Sequence, residues 1–243
     1  MLAPGSFAGH IARMKLVIFD CDGTLVDSQH MICAAMEKAY AANGLVCPPR
    51  ETVLSIVGLS LSEAFERLAN GEKHPLEPLI ESYKNAFHEL RAADIHMEPL
   101  YPGAREAIEA LAARDDVVLG IATGKSVRGA KLVLGHHGLY DRFVTVQTAD
   151  TAPSKPHPRM MHNAMREAGV EPRDTVMIGD TTYDIEMAIA AGASAIGVSW
   201  GYHPAAELRE AGAEIVLDDF TQLLPALETR FARVQLDEDL ADA

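Results

Sequence analysis

Lys15-Leu16-Val17-Ile18-Phe19-Asp20-Cys21-Asp22-Gly23-Thr24-Leu25-Val26-Asp27-Ser28 is the stretch around which the rest of the chain is read. Residues 16–19 form an unbroken apolar run rich in β-branched and aromatic side chains, the pattern of a strand buried on both faces of a parallel sheet. Two carboxylates, Asp20 and Asp22, follow at once. A tight loop through Gly23 can turn both toward one point. Ligands of open α/β sheets bind just beyond the carboxyl ends of the strands. Two acids placed there repel each other unless a cation lies between them, and oxygen ligands favour Mg²⁺, which readily shares a phosphate. Taken alone, the same residues would also make an Asp-rich turn, because Asp and Gly are common turn formers.

The chain has 243 residues, 48% of them hydrophobic, enough for one large or two modest domains with a substantial core. Its formal net charge of −14 disfavours nucleic acid and anionic membranes as partners, since both need a basic footprint. A small phosphorylated ligand stays compatible if local cations and metal reverse the repulsive field. Cys21, Cys33 and Cys47 are odd in number and lack metal-ligand spacing, which reads as free thiols in a reducing cytosol, with Cys21 a buried spectator. Residues 1–13 lack the basic and long apolar regions of a signal peptide and read as a flexible extension ahead of Met14. Residues 187–206 carry no formal charge, but glycines, Pro204 and small residues break them too often for a membrane span.

After Ser28 the pattern turns helical. Met31, Ile32, Ala35, Met36 and Tyr40 recur at three- and four-residue intervals, and Asn43-Gly44 supplies a stop. Pro48-Pro49 opens a further segment that ends at Gly58. Ser60 and Glu63 fit a capping box for the next helix, and residues 79–93 are amphipathic. Strand and helix then alternate. Helices are expected at 104–113, 126–136, 158–168, 182–191, 205–211 and 220 to about 232. Strands are expected at 117–122, 143–146, 175–179, 194–198 and 214–217. Repeated βα units imply a parallel sheet with helices on both faces. The predicted class is therefore α/β, a three-layer Rossmann-like core formed by 14–26 and 98–232. An all-helical insert occupies 27–97, and 1–13 and 233–243 are expected to be flexible termini.

Further polar residues fall at predicted strand ends. Thr123 and Gly124 follow one strand, where a hydroxyl and free backbone N–H groups at a helix start make an anion site. An N-cap role for Thr123 is compatible with that. Lys155 lies in the rigid turn Ala152-Pro153-Ser154-Lys155-Pro156-His157-Pro158, where a solitary lysine is ordinarily solvated and His157 reads as a helix-start polar residue. In Val176-Met177-Ile178-Gly179-Asp180-Thr181-Thr182-Tyr183-Asp184, Asp180 ends a strand and can reach a metal. Asp184 follows one helical turn later and can support it or Lys155. Helix capping is the structural alternative for these acids.

Taken together, Ile18 to Ser28, Thr123, Lys155-Pro156-His157-Pro158 and Gly179-Asp180 with Asp184 resemble, in order, the four signatures of the haloacid dehalogenase-like hydrolase superfamily. The insert resembles that family's helical cap of the first type. Tyr202-His203-Pro204-Ala205 and Ala211-Gly212-Ala213 are similar to the phosphoglycolate phosphatase-like branch. The resemblance implies a cytoplasmic Mg²⁺-dependent phosphatase acting on a small phosphorylated metabolite, as a monomer or homodimer. It implies Asp20 as nucleophile, Asp22 as general acid/base, and Mg²⁺ held by Asp20, the Asp22 main-chain carbonyl and Asp180. Thr123, Gly124 and Lys155 would bind the phosphoryl group, with Asp184 in support. Lys155 is expected to offset repulsion between Asp20 and the incoming phosphate, a pairing of about 4 kcal/mol at 4 Å and an effective dielectric near 20.

Residues 55–61 resemble the family's specificity loop, but the arginine that often precedes its glycine is absent and the nearest basic residue is Arg50. A 2-haloacid dehalogenase would normally lack Asp22. A β-phosphoglucomutase-like mutase or a pyrophosphatase would keep both acids. A receiver-like phospho-switch, or an inactive binding scaffold, is the non-enzymatic alternative, although a receiver has no cap and is about half this length.

Overall fold

The apolar run at the start of the chain becomes the middle of the sheet. The computed structural model describes residues 13–93 and 98–241. Its six strands are β1 (Lys15–Phe19), β2 (Val117–Thr123), β3 (Thr145–Thr148), β4 (Thr175–Gly179), β5 (Ser194–Val198) and β6 (Ile215–Leu217). They pair in parallel in the order β3-β2-β1-β4-β5-β6. The chain steps outward from β1 in one direction and later in the other, so the switch point lies beside β1. Phe19 is level with Ile121 on one side and Ile178 on the other. The carboxyl ends of the three central strands therefore open at one height.

Successive β1 side chains point to opposite faces. Val17 and Phe19 join one core and Leu16 and Ile18 the other, all four fully buried. After β1 comes the insert, whose described residues form four helices, α1 (Gln29–Ala42), α2 (Arg50–Leu54), α3 (Leu61–Ala69) and α4 (Leu76–Ala93). The remaining helices are α5 (Ala104–Ala112), α6 (Val127–His136), α7 (Arg159–Ala168), α8 (Thr182–Ala190), α9 (Ala205–Glu210) and α10 (Leu223–Ala241). Ile108, Val133, Leu134 and Leu227 bring α5, α6 and α10 onto the Phe19 face. Met161, Ile185 and Leu208 bring α7, α8 and α9 onto the Ile18 face. The three-layer α/β architecture predicted from the sequence is thus present.

The four inserted helices have a core of their own, in which Met36, Tyr40, Phe65, Leu79 and Tyr83 are buried. Phe65 and Tyr83 meet edge to face with ring centroids 6.0 Å apart. Ser60 caps α3 by accepting from the Glu63 N–H at 3.4 Å. The paths into and out of the insert run side by side. Val26 bridges Leu100, the Asp27 N–H donates to the Pro99 carbonyl at 2.8 Å, and the Tyr101 N–H donates to that of Leu25 at 3.0 Å. The insert is thereby held next to the loop that carries Asp20 and Asp22.

Three elements depart from the sequence reading. β3 occupies Thr145–Thr148, two residues later than expected, because Tyr140–Arg142 makes a short 3-10 turn and Val144 is left 64% exposed. α4 begins at Leu76 rather than 79. Phe220–Gln222 is a 3-10 turn, and α10 runs to Ala241 instead of ending near 232. The buried stripe of α10 stops at Phe231, and that stripe is the sequence signal, whereas the helix itself continues past it to Ala241. Of the extension 1–13, residues 1–12 lie outside the described residues. Arg13 pairs with Asp174 at 2.9 Å.

Candidate active site

β1 delivers Asp20 one residue past its end, β4 delivers Asp180 one residue past its end, and Thr123 closes β2. Lys155 comes from the loop after β3, where its bond to Pro156 is cis, and Asp184 comes from the first turn of α8. Asp20, Thr123, Lys155, Asp180 and Asp184 are all buried, none more than 1% exposed. The Lys155 ammonium bridges two acids, 3.0 Å from Asp20 Oδ1 and donating to Asp184 Oδ1 at 2.6 Å. Asp184 Oδ2 accepts from the Thr181 hydroxyl at 2.7 Å and the Thr181 N–H at 3.2 Å. Capping and support of Lys155 are therefore met by the same carboxylate.

Asp180 is held from two directions. Thr24 Oγ1 donates to its Oδ1 at 2.8 Å and the Tyr202 N–H to its Oδ2 at 2.9 Å. Gly201 makes the second approach possible, since a Cβ there would collide with the Asp180 side chain. Asp20 Oδ1 also accepts from the Cys21 N–H at 2.6 Å, but its Oδ2 is buried with no hydrogen-bond partner among the described residues. One oxygen each of Asp20, Asp180 and Asp184 lie within 4.8 Å of one another. Burial pushes the Asp20 carboxyl up to about 7, with Lys155 opposing and Asp184 and Asp22 adding to the rise. Burial likewise raises Asp180, and the Asp20 and Asp184 carboxylates add to it. The cluster thus offers oxygen donors alone and an excess of negative charge. That is the donor set of a hard divalent cation.

Asp22 sits apart from that cluster and touches a cavity. The Ser28 hydroxyl donates to its Oδ1, and Lys125 Nζ lies 2.9 Å from the same oxygen. Lys125 in turn lies 3.1 Å from Glu98 Oε1, and Arg91 of α4 donates to Glu98 Oε2 from Nε at 2.8 Å and Nη2 at 2.5 Å. Burial alone would raise the Glu98 carboxyl, but Lys125 and Arg91 outweigh it and hold it below its ordinary value. A line of alternating charge therefore runs from the insert through the returning linker to Asp22. Sequence reading missed Lys125, Glu98, Arg91 and the hydroxyl of Ser28. A lysine two residues after a Thr that ends a strand was the available signal for the first.

Thr123 does not cap a helix. Its Oγ1 accepts from the Lys125 N–H at 3.3 Å, and Ser126 caps α6 by accepting from the Gly129 N–H at 3.1 Å. Gly124 packs tightly against the insert, since a Cβ there would lie 2.5 Å from the Leu59 carbonyl oxygen and 2.6 Å from that of Gly58. His157 accepts from the Arg159 N–H at 3.2 Å, a helix-start role. Cys21 is buried, and burial pushes its thiol well up, which leaves it inert. Between insert and core lies a cavity of about 410 Å³ whose wall includes Asp22, Leu59, Tyr83, Phe87, Gly124 and Lys125. Among the described residues no helix is long and apolar enough to cross a membrane.

The chain is similar to known proteins over most of its length. Residues 17–198 match the family model for haloacid dehalogenase-like hydrolases. The chain is 35% identical over 216 residues to the protein of Dickeya dadantii named "Probable phosphatase IndB", covering 87% of this chain and 92% of that one. It is 30% identical over 222 residues to a phosphoglycolate phosphatase of Haemophilus influenzae, covering 88% and 99%. The solved structure of a hydrolase from Pseudomonas syringae superposes with a TM-score of 0.79 at 27% identity, covering 89% and 99%.

Proposed function

Because the chain belongs to the haloacid dehalogenase-like hydrolase family, in its phosphatase branch, we propose that it hydrolyses a small phosphorylated metabolite through a phosphoryl group carried on Asp20. The observation that carries the reading is Asp20 Oδ2, a buried carboxylate oxygen with no hydrogen-bond partner among the described residues, beside a fully buried lysine. An unsatisfied oxygen in such a place costs about 1–3 kcal/mol or more if it does nothing. Here it is the atom free to attack.

In this mechanism Oδ2 forms a bond to phosphorus as the bond from phosphorus to the leaving oxygen breaks. Asp22 gives that oxygen its proton. The hydrogen bonds from Ser28 and Lys125 both fall on Oδ1, which leaves Oδ2 of Asp22 to carry it. Asp22 then takes a proton from the water that attacks the acyl phosphate, releasing phosphate and restoring Asp20. Such acid–base help is worth about 10²–10⁴ in rate. Thr123, Gly124 and Lys155 bind the phosphoryl oxygens, where fixed donors do most of the work. Asp20, Asp180 and the Asp22 main-chain carbonyl would hold Mg²⁺, with Asp184 in support. When bound, Mg²⁺ supplies neutralisation of the negative charge gathered on phosphate and carboxylates. Because Asp20 is fully enclosed, substrate entry requires the insert to move and closure then excludes water.

The test is hydrolysis of benzyl phosphate in Mg²⁺ by the wild type and Asp20→Asn. The amide is expected to lower kcat by more than about 10³. Activity within tenfold of wild type would remove Asp20 as the nucleophile.

A further inference from the structure

We propose that the natural leaving group is a ring-sized, mainly apolar alcohol that carries a carboxylate remote from the phosphoryl group, rather than a two-carbon acid. This rests on the phosphatase reading and adds the class of substrate.

Three observations lead to it. First, the cavity of about 410 Å³ falls in the range of roughly 300–1,000 Å³ that holds ligands of many atoms. A two-carbon acid displaces only a few waters, each with a share of about 30 Å³, and would leave most of the chamber wet. Second, much of the wall is apolar. Met36, Ile56, Leu59, Phe87 and Leu132 line it, and Leu132 is still 43% exposed. Such surface gains from contact with an apolar body and gains nothing from glycolate.

Third, the cations nearest Asp22 are already engaged. Lys125 is shared by Asp22 and Glu98, and Arg91 grips Glu98 with two nitrogens while lying over the Phe87 ring at 4.9 Å. A short acid beside the scissile oxygen would find only the one remaining hydrogen of the Lys125 ammonium, whose charge is already shared by two carboxylates. It would also bring its charge up to that of Asp22. Arg128, on the same wall, is exposed, and its side chain makes no hydrogen bond or ion pair among the described residues. Its planar fork matches a carboxylate. The other acid of that wall, Asp150, already accepts from the Val127 N–H at 2.7 Å. An apolar body spanning the chamber would carry its carboxylate to Arg128 and leave the charged line to Asp22 intact.

The experiment compares kcat/KM of the full chain, in Mg²⁺, for 4-carboxybenzyl phosphate, benzyl phosphate and phosphoglycolate. All three release an alkoxide, so the chemical step is matched. The expected order is 4-carboxybenzyl, then benzyl, then phosphoglycolate. The carboxylate should contribute about tenfold, the worth of one charge-assisted hydrogen bond. Arg128→Gln should bring the ratio of 4-carboxybenzyl to benzyl phosphate near one, and Phe87→Ala should lower the ratio of benzyl phosphate to phosphoglycolate. Each ratio is taken within one variant, so a fraction of misfolded protein cancels. Competitive inhibition by 4-(hydroxymethyl)benzoate should also weaken about tenfold in Arg128→Gln. Preference for phosphoglycolate, or a ratio that Arg128→Gln leaves unchanged, overturns this inference and leaves the phosphatase reading standing. Failure to hydrolyse any phosphomonoester overturns both.

Discussion

Replacing Lys155 by Met removes the ammonium that bridges Asp20 and Asp184 and keeps much of the volume of the stem. The two contacts, 3.0 and 2.6 Å long, are each worth about 6 kcal/mol of gross attraction at an effective dielectric near 20. Taking the lysine out of water already costs several kcal/mol, which offsets much of that. Deleting one partner of a buried pair leaves the other charge uncompensated, and the net loss is about 3–5 kcal/mol. Asp20, Asp180 and Asp184 have no exposure through which water could compensate them. For a chain of this size the loss corresponds to a fall in Tm of about 6–20 °C. Urea denaturation in EDTA, followed by the fluorescence of Trp200, the sole tryptophan, measures it directly. Mg²⁺ should then stabilise the variant more than the wild type, by at least about 1.4 kcal/mol at saturating metal, because the carboxylates have lost their competing cation. A loss below about 1 kcal/mol in EDTA, or an equal response to Mg²⁺, would refute the reasoning.

Gly124→Ala places a methyl group against the Gly58 and Leu59 carbonyl oxygens and holds the insert off the core, so kcat/KM should fall about 10–100-fold. Steady-state kinetics within threefold of wild type would mean that this contact is not used in turnover. Gly201→Ala should push Asp180 from its place and weaken Mg²⁺ binding by calorimetry, whereas Gly135→Ala, with open space around its Cβ position, should not. Glu98→Gln tests the pH dependence. The Glu98 carboxyl is held below its ordinary value, so the unfolded chain takes up its proton first as pH falls. Its contribution is therefore present above the unfolded value of about 4.3 and lost as pH drops through the folded one. Melts between pH 4 and 8 should show Glu98→Gln less stable at pH 7, with the gap closing toward pH 4. A gap that is constant with pH would mean that packing, not charge, is what Glu98 contributes.

The sheet was legible in the sequence because strands buried on both faces leave continuous apolar runs, and Thr175–Gly179 and Ser194–Val198 fall where those runs predict. β3 was misplaced because Phe143, Val144 and Val146 look like strand residues, while Gln147 and Thr148, which do pair, are polar. Gln147 is buried because its amide donates to Glu167 at 2.9 Å and to Thr145 at 2.8 Å, partners that no local pattern reveals. At the site, Asp20, Thr123, Lys155, Asp180 and Asp184 were each marked by standing at a strand end or in the turn after it. The rule of the α/β sheet brings such positions together.

Glu98 and Arg91 carried no such mark, and Lys125 only that of its place in the turn after β2. Each is an ordinary charged residue in its own neighbourhood, and they become one line only when α4, the linker returning from it and the loop after β2 converge. The same difficulty lies in the net charge of −14. Composition counts a lysine equally wherever it stands. Lys155 and Lys125 are nonetheless withdrawn from the surface and set against Asp20, Asp184, Asp22 and Glu98 inside, so their charge does nothing to relieve an exterior that stays strongly acidic. A phosphorylated ligand repelled by the outer field thus meets its first compensating charges inside the chamber. Loss of Lys125 should therefore depress kcat/KM more at low ionic strength than at high, because screening weakens the long-range repulsion and leaves the short buried contacts nearly unchanged.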